Sequence, residues 1–348
     1  MSKKKKGKHR RTTLALVESP AQLLNVIEWA FQNGVEEQTR LAVLPPRDAT
    51  TRLQLEAMVD LAREAGLAAT WYEPRKSAAS MVAVAWELFP RLVKAERLVV
   101  GDPFSRFVQA VLPLADVAEV VVVDDGTATI SFIAQLTRGD RLSRWHLAES
   151  GREVVIDLLS EHARDFFMPS KRDGRSIEVF TSMPVQAPPG TRQSANTFAW
   201  TRGRFGPPVV QDAADVIGTS LVETGVVDAD RYLAGVVAVT GRFGAGRYFA
   251  HRREDDAKLA TIAARTGLRV VRPDVPLEIA VRRGPVGRLM VSYPSTVTHT
   301  LPLVLVDTPV ELAVADVPAA WLTPGAPVGA GDFLEHVNTT ARRRHTLS

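Results

Sequence analysis

Two adjacent carboxylates, Asp124 and Asp125, follow a run of four valines and precede Gly126. Four consecutive valines predict a strand that is buried on both faces, as in a parallel sheet. A helical pattern begins near Ile130, so the two acids fall at the edge of an open α/β sheet where ligands bind. A carboxylate there can act as a general base on a substrate hydroxyl. The same residues can also form a capped turn. Two adjacent acids with no basic residue nearby in the sequence are unfavourable to place together, which favours the functional interpretation.

The second half of the chain carries further candidates at predicted strand ends and helix starts. His251 ends a predicted strand, although a lone histidine is often structural. Ser295 and Thr296 fall at a strand-to-helix junction, where hydroxyls and free backbone N–H groups bind phosphate; such a pair is also an ordinary helix cap. Glu278 lies in the first turn of a short helix, where its charge can simply offset the helix dipole.

These residues need a scaffold, and the first half predicts one in which strands and helices alternate with short connections. The predicted strands are 13–17, 41–44, 68–72, 97–102 and 119–123, and the predicted helices are 20–33, 53–65, 81–92, 104–112 and 130–136. This alternation is typical of a doubly wound parallel sheet. Right-handed crossovers bring the strand ends at 18–20, 101–102 and 124–126 to one edge.

The second half repeats the alternation after a charged stretch with a helix near 152–165. Its predicted strands are 177–182, 214–220, 246–251, 268–271 and 289–293, and 184–210 is predicted as a long loop. We therefore expect an α/β protein with two Rossmann-like doubly wound domains that face a cleft. The expected parts are a disordered basic tail at 1–11, an N-terminal domain at 12–150, a linker at 151–176, a C-terminal domain at 177–335 and a basic C-terminal tail at 336–348.

The composition narrows the class of protein. Of the 348 residues, 45% are hydrophobic and 24% are charged, which is normal for a globular protein. The chain has no cysteine, which excludes disulfides and thiolate metal sites and makes the cytoplasm the expected location. The net charge of +4 is concentrated in basic stretches at 3–11 and 342–345. Such tails can hold a protein weakly at the anionic inner face of a membrane. The sequence shows no basic stripe with interleaved aromatic residues, which is the pattern expected for nucleic-acid binding.

Two Rossmann-like halves without a GxGxxG or GxxxxGK[ST] motif are typical of GT-B glycosyltransferases, a layout shared with epimerases and periplasmic-type binding proteins. Within it, the chain resembles the bacterial CMP-sialic acid sialyltransferases and polysialyltransferases, which carry an acidic-acidic-Gly, a His-Pro and a Ser/Thr motif. The matching residues occur in one order: Asp124-Asp125-Gly126, His251, Pro276-Leu277-Glu278 and Ser295-Thr296. The segment 18–25 is similar to the first strand–helix junction of the lipooligosaccharide and polysialic acid branch. The resemblance covers about residues 13–310, with one departure, since Arg252 stands where the family has proline.

The resemblance implies an inverting transfer without metal or other cofactor, in which a CMP-activated sugar is the donor substrate and a glycan or glycolipid the acceptor. It implies that Asp125 or Asp124 is the base, with Asp125 preferred, and that His251 donates to or protonates the departing phosphate. The other implied residues form a donor and phosphate set of Ser295, Thr296, Glu278, Gly218, Thr219 and Ser220, and an acceptor-side set of Ser19, Gln22 and Gly126. No metal ligand is assigned, although adjacent acids bind Mg²⁺ in other enzyme classes.

Two alternatives remain open from the sequence. The first is a GT-B glycosyltransferase that uses a UDP- or GDP-sugar. The second is a non-catalytic GT-B-like binding protein that docks through its basic tails. Related enzymes also use other CMP-activated ulosonic acids such as Kdo, so the sugar itself is not fixed by these motifs.

Overall fold

The structure is a computed structural model that describes residues 12–143, 154–169, 174–327 and 329–345. Two parallel β-sheets form the centres of two lobes. The first sheet contains β1 (Thr13–Val17), β2 (Thr39–Val43), β3 (Ala68–Trp71), β4 (Arg97–Val100), β5 (Glu119–Val123), β6 (Ser176–Thr181) and β7 (Arg192–Ala195). The second contains β8 (Val210–Ile217), β9 (Ala245–Phe249), β10 (Arg269–Val271), β11 (Val286–Ser292) and β12 (Glu311–Val314).

Helices connect these parallel strands. The first lobe, which ends at residue 205, contains α1 (Pro20–Asn33), α2 (Ala49–Glu64), α3 (Ala78–Lys94), α4 (Arg106–Val111), α5 (Ala128–Arg138), α6 (Val154–Phe166) and α7 (Ala199–Phe205). The second lobe, from residue 210 onward, contains α8 (Ala229–Phe243), α9 (Asp256–Thr266), α10 (Leu277–Arg283), α11 (Val297–Val304) and α12 (Ala330–His345). Within the described residues, no helix combines the length and apolarity that a bilayer crossing requires.

The strand orders confirm two doubly wound sheets. The first sheet runs β3-β2-β1-β4-β5-β6-β7 and the second β10-β9-β8-β11-β12, with all paired neighbours parallel. In each sheet the order reverses between two neighbouring strands, β1 and β4 in one and β8 and β11 in the other. At such a reversal the flanking helices lie on opposite faces, which leaves a crevice at the carboxyl edge.

The boundary expected between the two domains is wrong. β6, which was expected to open the C-terminal domain at 177, pairs in parallel with β5 over residues 176–180 and belongs to the first sheet. The stretch 184–210, predicted as a loop, contains β7 and α7, and β7 continues the same sheet beside β6. The first lobe therefore extends to about residue 205, because the backbone groups of β5 and β6 find their partners in each other.

The linker and the C-terminal tail also differ from expectation. The helix expected near 152–165 is present as α6. Its buried Ala163 and Phe166 pack in the core of the first lobe, so the stretch 151–176 is not merely a linker. The tail assigned to 336–348 is helical as far as residue 345, because α12 runs from 330 and buries Leu334 and Val337. The basic tail expected at 1–11 lies outside the described residues.

Apolar side chains cover both faces of the first sheet. Strand residues with opposite side-chain directions pack into two separate clusters, which contain, for example, Val121 on one face and Val122 on the other. The first cluster also includes Phe198 and Trp200 and continues into the second lobe through Ile279. The two lobes thus share buried apolar surface on the side where α1 and α7 lie.

α7 begins at a buried carboxylate from another helix. Both oxygens of Glu28, on α1, accept hydrogen bonds from α7: Oε2 from the Trp200 N–H at 2.9 Å, and Oε1 from the Thr201 N–H at 2.8 Å and the Thr201 hydroxyl at 2.6 Å. The Phe198 that precedes the helix has φ 54°, a left-handed conformation that is unfavourable for an aromatic residue. The Glu28 contacts therefore satisfy the first N–H groups of the helix and hold this strained entry in place.

We predict that Glu28→Ala lowers the free energy of unfolding by about 3 kcal/mol, because it leaves three buried donors without an acceptor. The matched control is Glu64→Ala, which removes an exposed ion pair to the same helix, Glu64–Arg204 at 3.0 Å. That change should cost less than about 1 kcal/mol, as exposed pairs do. Urea denaturation of both variants checks the difference, and equal losses would contradict the role of Glu28.

Candidate functional site

A cavity of about 310 Å³ lies between the carboxyl edges of the two sheets. The second-lobe wall is built where β8 and β11 adjoin, at the reversal of strand order. Nine predicted site residues line it: Asp125, Gly126, Gly218, Thr219, Ser220, His251, Glu278, Ser295 and Thr296. These residues come from both halves of the chain, so the two lobes bring the predicted donor set and the predicted base to one space.

The two adjacent acids occupy different environments. The Asp124 carboxylate is buried and accepts hydrogen bonds from the Thr181 hydroxyl at 2.5 Å, the Ser182 N–H at 2.6 Å and the Ser182 hydroxyl at 2.8 Å. Burial raises the pKa of Asp124, and the bonds from Thr181 and Ser182 oppose that rise. Asp125 instead lines the cavity. Asp124 therefore joins the ends of β5 and β6, and Asp125 is the carboxylate that a substrate can reach.

Two predicted acceptor-side residues, Ser19 and Gln22, are not among the cavity's lining residues. Ser19 caps α1, since its Oγ accepts from the Gln22 N–H at 3.2 Å. The Gln22 side chain accepts from the Glu18 N–H at 2.7 Å and lies against Gly101, where an added Cβ would be 2.6 Å from its Oε1. Both residues thus shape the β1–α1 turn.

A buried carboxylate lies beside that turn. Glu18 pairs with Arg75 at 2.5 Å and accepts from the Ser105 hydroxyl at 2.6 Å. Burial raises the pKa of Glu18 to about 7; Arg75 lowers it and the charge of Asp102 adds to the rise. The reversal point of the first sheet, between β1 and β4, is therefore filled by its own polar side chains.

Thr296 contacts the first lobe directly. Its Oγ1 accepts a hydrogen bond from the Thr127 N–H at 3.1 Å. Gly126 has φ 65°, and a Cβ there would be 2.3 Å from the Thr296 Oγ1. Glycine at 126 is therefore required both by its backbone conformation and by the approach of the second lobe.

Glu278 is held by α11. Its Oε1 accepts from the Thr300 hydroxyl at 2.6 Å, and the residue is 8% exposed at the start of α10. Ser295 and Thr296 precede α11, with the backbone carbonyl of Ser295 accepting from the Thr298 hydroxyl at 2.7 Å. Carboxylate, hydroxyls and helix start thus lie along one wall of the cavity.

His251 is fixed by a buried polar network. Its backbone N–H donates to Glu254 Oε2 at 2.6 Å, and Glu254 Oε1 accepts from the Tyr248 hydroxyl at 2.6 Å. Lys258 pairs with the same carboxylate at 2.9 Å and donates to the Thr219 carbonyl at 3.1 Å. Gly218 approaches this group so closely that a Cβ would be 2.2 Å from Glu254 Oε2. Glu254 therefore sets the positions of both His251 and the loop 218–220.

The His251 ring is uncharged in this environment. Burial, followed by the charges of Arg252, Arg253 and Lys258, lowers the pKa of His251 to about 3. Its Nδ1 accepts from the Arg253 N–H at 3.2 Å, so the ring proton is assigned to Nε2. A neutral ring with an Nε2–H is a hydrogen-bond donor for an anionic oxygen, and a bound anion would raise its pKa again.

The sequence motifs missed several residues that line the cavity. Arg252 and Arg253 follow His251, and Gln54 reaches from α2 to donate to the Pro273 carbonyl at 2.7 Å. The Nε of Arg252 is buried and has no hydrogen-bond partner among the described residues. Burial and Arg253 lower the pKa of Arg252, whereas the carboxylates of Asp125, Asp48 and Glu278 act in the opposite sense. The only sequence signal for Arg252 was its departure from the His-Pro motif.

No group of three or more histidine and acidic side chains in the described part of the chain is arranged to hold a metal ion. The ionisable side chains that line the cavity come from both lobes. Asp125 lies on the first-lobe side, and His251 with its two arginines lies on the second.

Comparisons with known proteins concern the fold. No family model matches the chain, and no curated protein is significantly similar in sequence. Among solved structures, a putative UDP-N-acetylglucosamine 2-epimerase from Listeria monocytogenes aligns with a TM-score of 0.54 and 10% identity, over 96% of this chain and 91% of its own. The α/β-galactoside α-2,3-sialyltransferase of Photobacterium phosphoreum aligns with a TM-score of 0.45 and 10% identity, over 88% and 91%. An E. coli heptosyltransferase with ADP-2-deoxy-2-fluoro heptose gives 0.41 and 11%, over 96% and 98%. The predicted GT-B type of fold is confirmed, and at these identities the likeness extends to the fold alone.

We predict that wild-type protein loses about 1 kcal/mol more stability than His251→Asn when the pH falls from 7 to 5. The folded pKa of His251, about 3, lies below the unfolded value of about 6.5. Between these values the unfolded state takes up a proton that the folded state does not, so falling pH favours unfolding, and partial exposure of the ring limits the effect. Urea denaturation at both pH values measures the difference; parallel losses would show that the ring titrates normally.

Proposed function

We propose that the protein is an inverting glycosyltransferase that moves an ulosonic acid, such as sialic acid, from a CMP-activated donor to a hydroxyl of a glycan acceptor. One observation carries this proposal: Asp125 from the first lobe lines the same cavity as His251, Glu278, Ser295 and Thr296 from the second. A base and a phosphate-binding wall that line one space suit an in-line displacement at a sugar carbon.

Asp125 is the proposed base. It would accept the proton of the acceptor hydroxyl while that oxygen attacks the anomeric carbon of the donor. Asp124 is unsuited to this step because Thr181 and Ser182 already bind both of its carboxylate oxygens. Its role would be to fix the strand end from which Asp125 projects.

The second-lobe wall would bind the leaving group. As the bond from the anomeric carbon to the phosphate oxygen breaks, CMP departs with additional negative charge on its phosphate. The Nε2–H of His251, the hydroxyl of Ser295 and the start of α11 are donors suited to that charge. Glu278 would bind the ribose or base of the nucleotide, and the small residues Gly218, Thr219 and Ser220 would line the nucleotide pocket.

Arg252 favours a donor whose sugar is itself acidic. Arg252 lines the same cavity as Asp125 and Glu278, and the charges of these carboxylates and of Asp48 act on its guanidinium. A cation there would oppose the positive charge that develops at the anomeric carbon of a neutral sugar. An ulosonic acid carries a carboxylate on that carbon, which would pair with the guanidinium and remove the conflict.

The nucleotide and the base are tested together. In a thermal-shift screen with CMP, CDP, UMP, UDP and GDP, CMP should raise the melting temperature by a few degrees, since saturation at about 100 times Kd adds about 2.7 kcal/mol.

Asp125→Asn should reduce transfer at least about 100-fold without loss of CMP binding, because only the proton acceptor is removed. The matched variant Asp124→Asn should instead lower the melting temperature. A shift with UDP or GDP alone would indicate a UDP- or GDP-sugar donor in place of a CMP-sugar. Normal transfer by Asp125→Asn would show that Asp125 is not the base.

The role of Arg252 predicts a difference between two ligands. Titration calorimetry in an Asp125→Asn background, which prevents turnover, should show that Arg252→Gln weakens CMP-sialic acid binding about 10-fold or more, as expected for a lost charge-assisted pair. CMP alone should bind about as before. Arg253→Gln is the matched control, because Arg253 also lines the cavity but is exposed. If Arg252→Gln weakened the binding of both ligands equally, Arg252 would instead bind the phosphate that the two ligands share.

A further inference from the structure

One helix of the first lobe exposes an apolar stripe. Large apolar side chains recur along α3 at spacings of four, three and four residues, which places them on one face. We name these the α3 stripe: Val82, Trp86, Phe89 and Val93, which are 55%, 70%, 39% and 51% exposed. The opposite side of α3 buries Val84, Leu88 and Leu92 in the core. The stripe is therefore not needed to attach α3 to the lobe.

The stripe is continuous. Trp86 and Phe89, at its centre, make an edge-to-face contact with ring centroids 6.1 Å apart. Single exposed apolar residues are ordinary, but a contiguous row that includes tryptophan and phenylalanine marks an interaction surface.

The described chain begins beside one end of the stripe, and the sequence before it is strongly basic. Thr12 connects to the C-terminal end of α3, where its hydroxyl donates to the Lys94 carbonyl at 3.4 Å. The sequence immediately before Thr12 is Lys3-Lys4-Lys5-Lys6-Gly7-Lys8-His9-Arg10-Arg11, with seven lysine and arginine residues. Eleven residues can span at most about 35 Å, which exceeds the length of about 25 Å expected for the 17 residues of α3. The chain length therefore allows these basic residues to reach the same bilayer surface as the stripe.

We propose that the α3 stripe and the basic segment 3–11 together dock the protein on an anionic lipid bilayer. Apolar side chains of a surface helix enter the boundary between headgroups and acyl chains, and tryptophan favours that layer. Lysine and arginine near anionic headgroups contribute about 1 kcal/mol each. Two weak signals on one surface give a stable attachment that neither gives alone.

Vesicle sedimentation of the full chain tests this proposal, which does not depend on the catalytic one. Binding should be strong to an equimolar phosphatidylcholine–phosphatidylglycerol mixture and weak to phosphatidylcholine alone. Trp86→Ser should lower the partition coefficient about 10-fold. The matched control Val306→Ser removes an apolar residue that is 67% exposed in the second lobe and should bind like the wild type. Replacement of Lys3, Lys4, Lys5 and Lys6 by glutamine should weaken binding to the anionic vesicles at least about 10-fold.

A second readout follows Trp86 itself. Its fluorescence should shift to shorter wavelength on vesicle binding, and Trp86→Phe should remove that shift while it preserves sedimentation. Equal binding by Trp86→Ser and Val306→Ser would overturn the proposal, since the basic segment would then act alone. A concentration-dependent dimer that Trp86→Ser converts to monomer would also overturn it and would assign the stripe to a second copy.

Discussion

The approach of Thr296 to the Gly126–Thr127 turn is the contact on which the site depends. A residue larger than glycine at 126 would displace Thr296, whose Oγ1 would lie 2.3 Å from the new Cβ. The hydrogen bond from the Thr127 N–H to Thr296 then fixes the spacing of the two sheet edges at the cavity. Asp125 on one side and Ser295 on the other are immediate chain neighbours of this contact. The distance between the proposed base and the proposed phosphate wall is thus set by two backbone turns, not by long side chains.

Several buried carboxylates stabilise the fold by accepting hydrogen bonds that join separate elements. Glu28 holds the start of α7, Asp124 joins β5 to β6, and Glu254 orders the loop that bears His251. In the second sheet, the buried Asp215 pairs with Arg247 at 2.7 Å and accepts from the Gly287 N–H at 2.6 Å. Each is compensated by several donors, as a buried charge requires. Asp125 and Glu278, by contrast, are acids that line the cavity.

The sequence predicted most of the scaffold because its strands and helices have clear periodicity. β7 was missed since Arg192–Ala195 is a short, mostly exposed edge strand without an apolar pattern. The ambiguity between Asp124 and Asp125 has a different cause, the assignment of β6 to the C-terminal domain. Once β6 lies beside β5, Thr181 and Ser182 come next to Asp124 and bind its carboxylate, which leaves Asp125 for the cavity. Gln54 could not be predicted, because its partner Pro273 is 219 residues away in the chain.

The two lobes are joined more weakly at the cavity than at α7. At the cavity they are joined by neutral hydrogen bonds, from Gln54 to the Pro273 carbonyl and from Thr127 to Thr296, each worth about 1 kcal/mol. At α7 the attachment is charged: the Arg202 guanidinium donates to the Leu303 carbonyl at 2.8 Å, and the buried Arg282, paired with Asp307, donates to the Arg202 carbonyl at 3.3 Å. Apolar packing adds to this attachment. A rotation that opened the cavity would therefore break the bonds at the cavity first, and the two lobes would stay joined at α7.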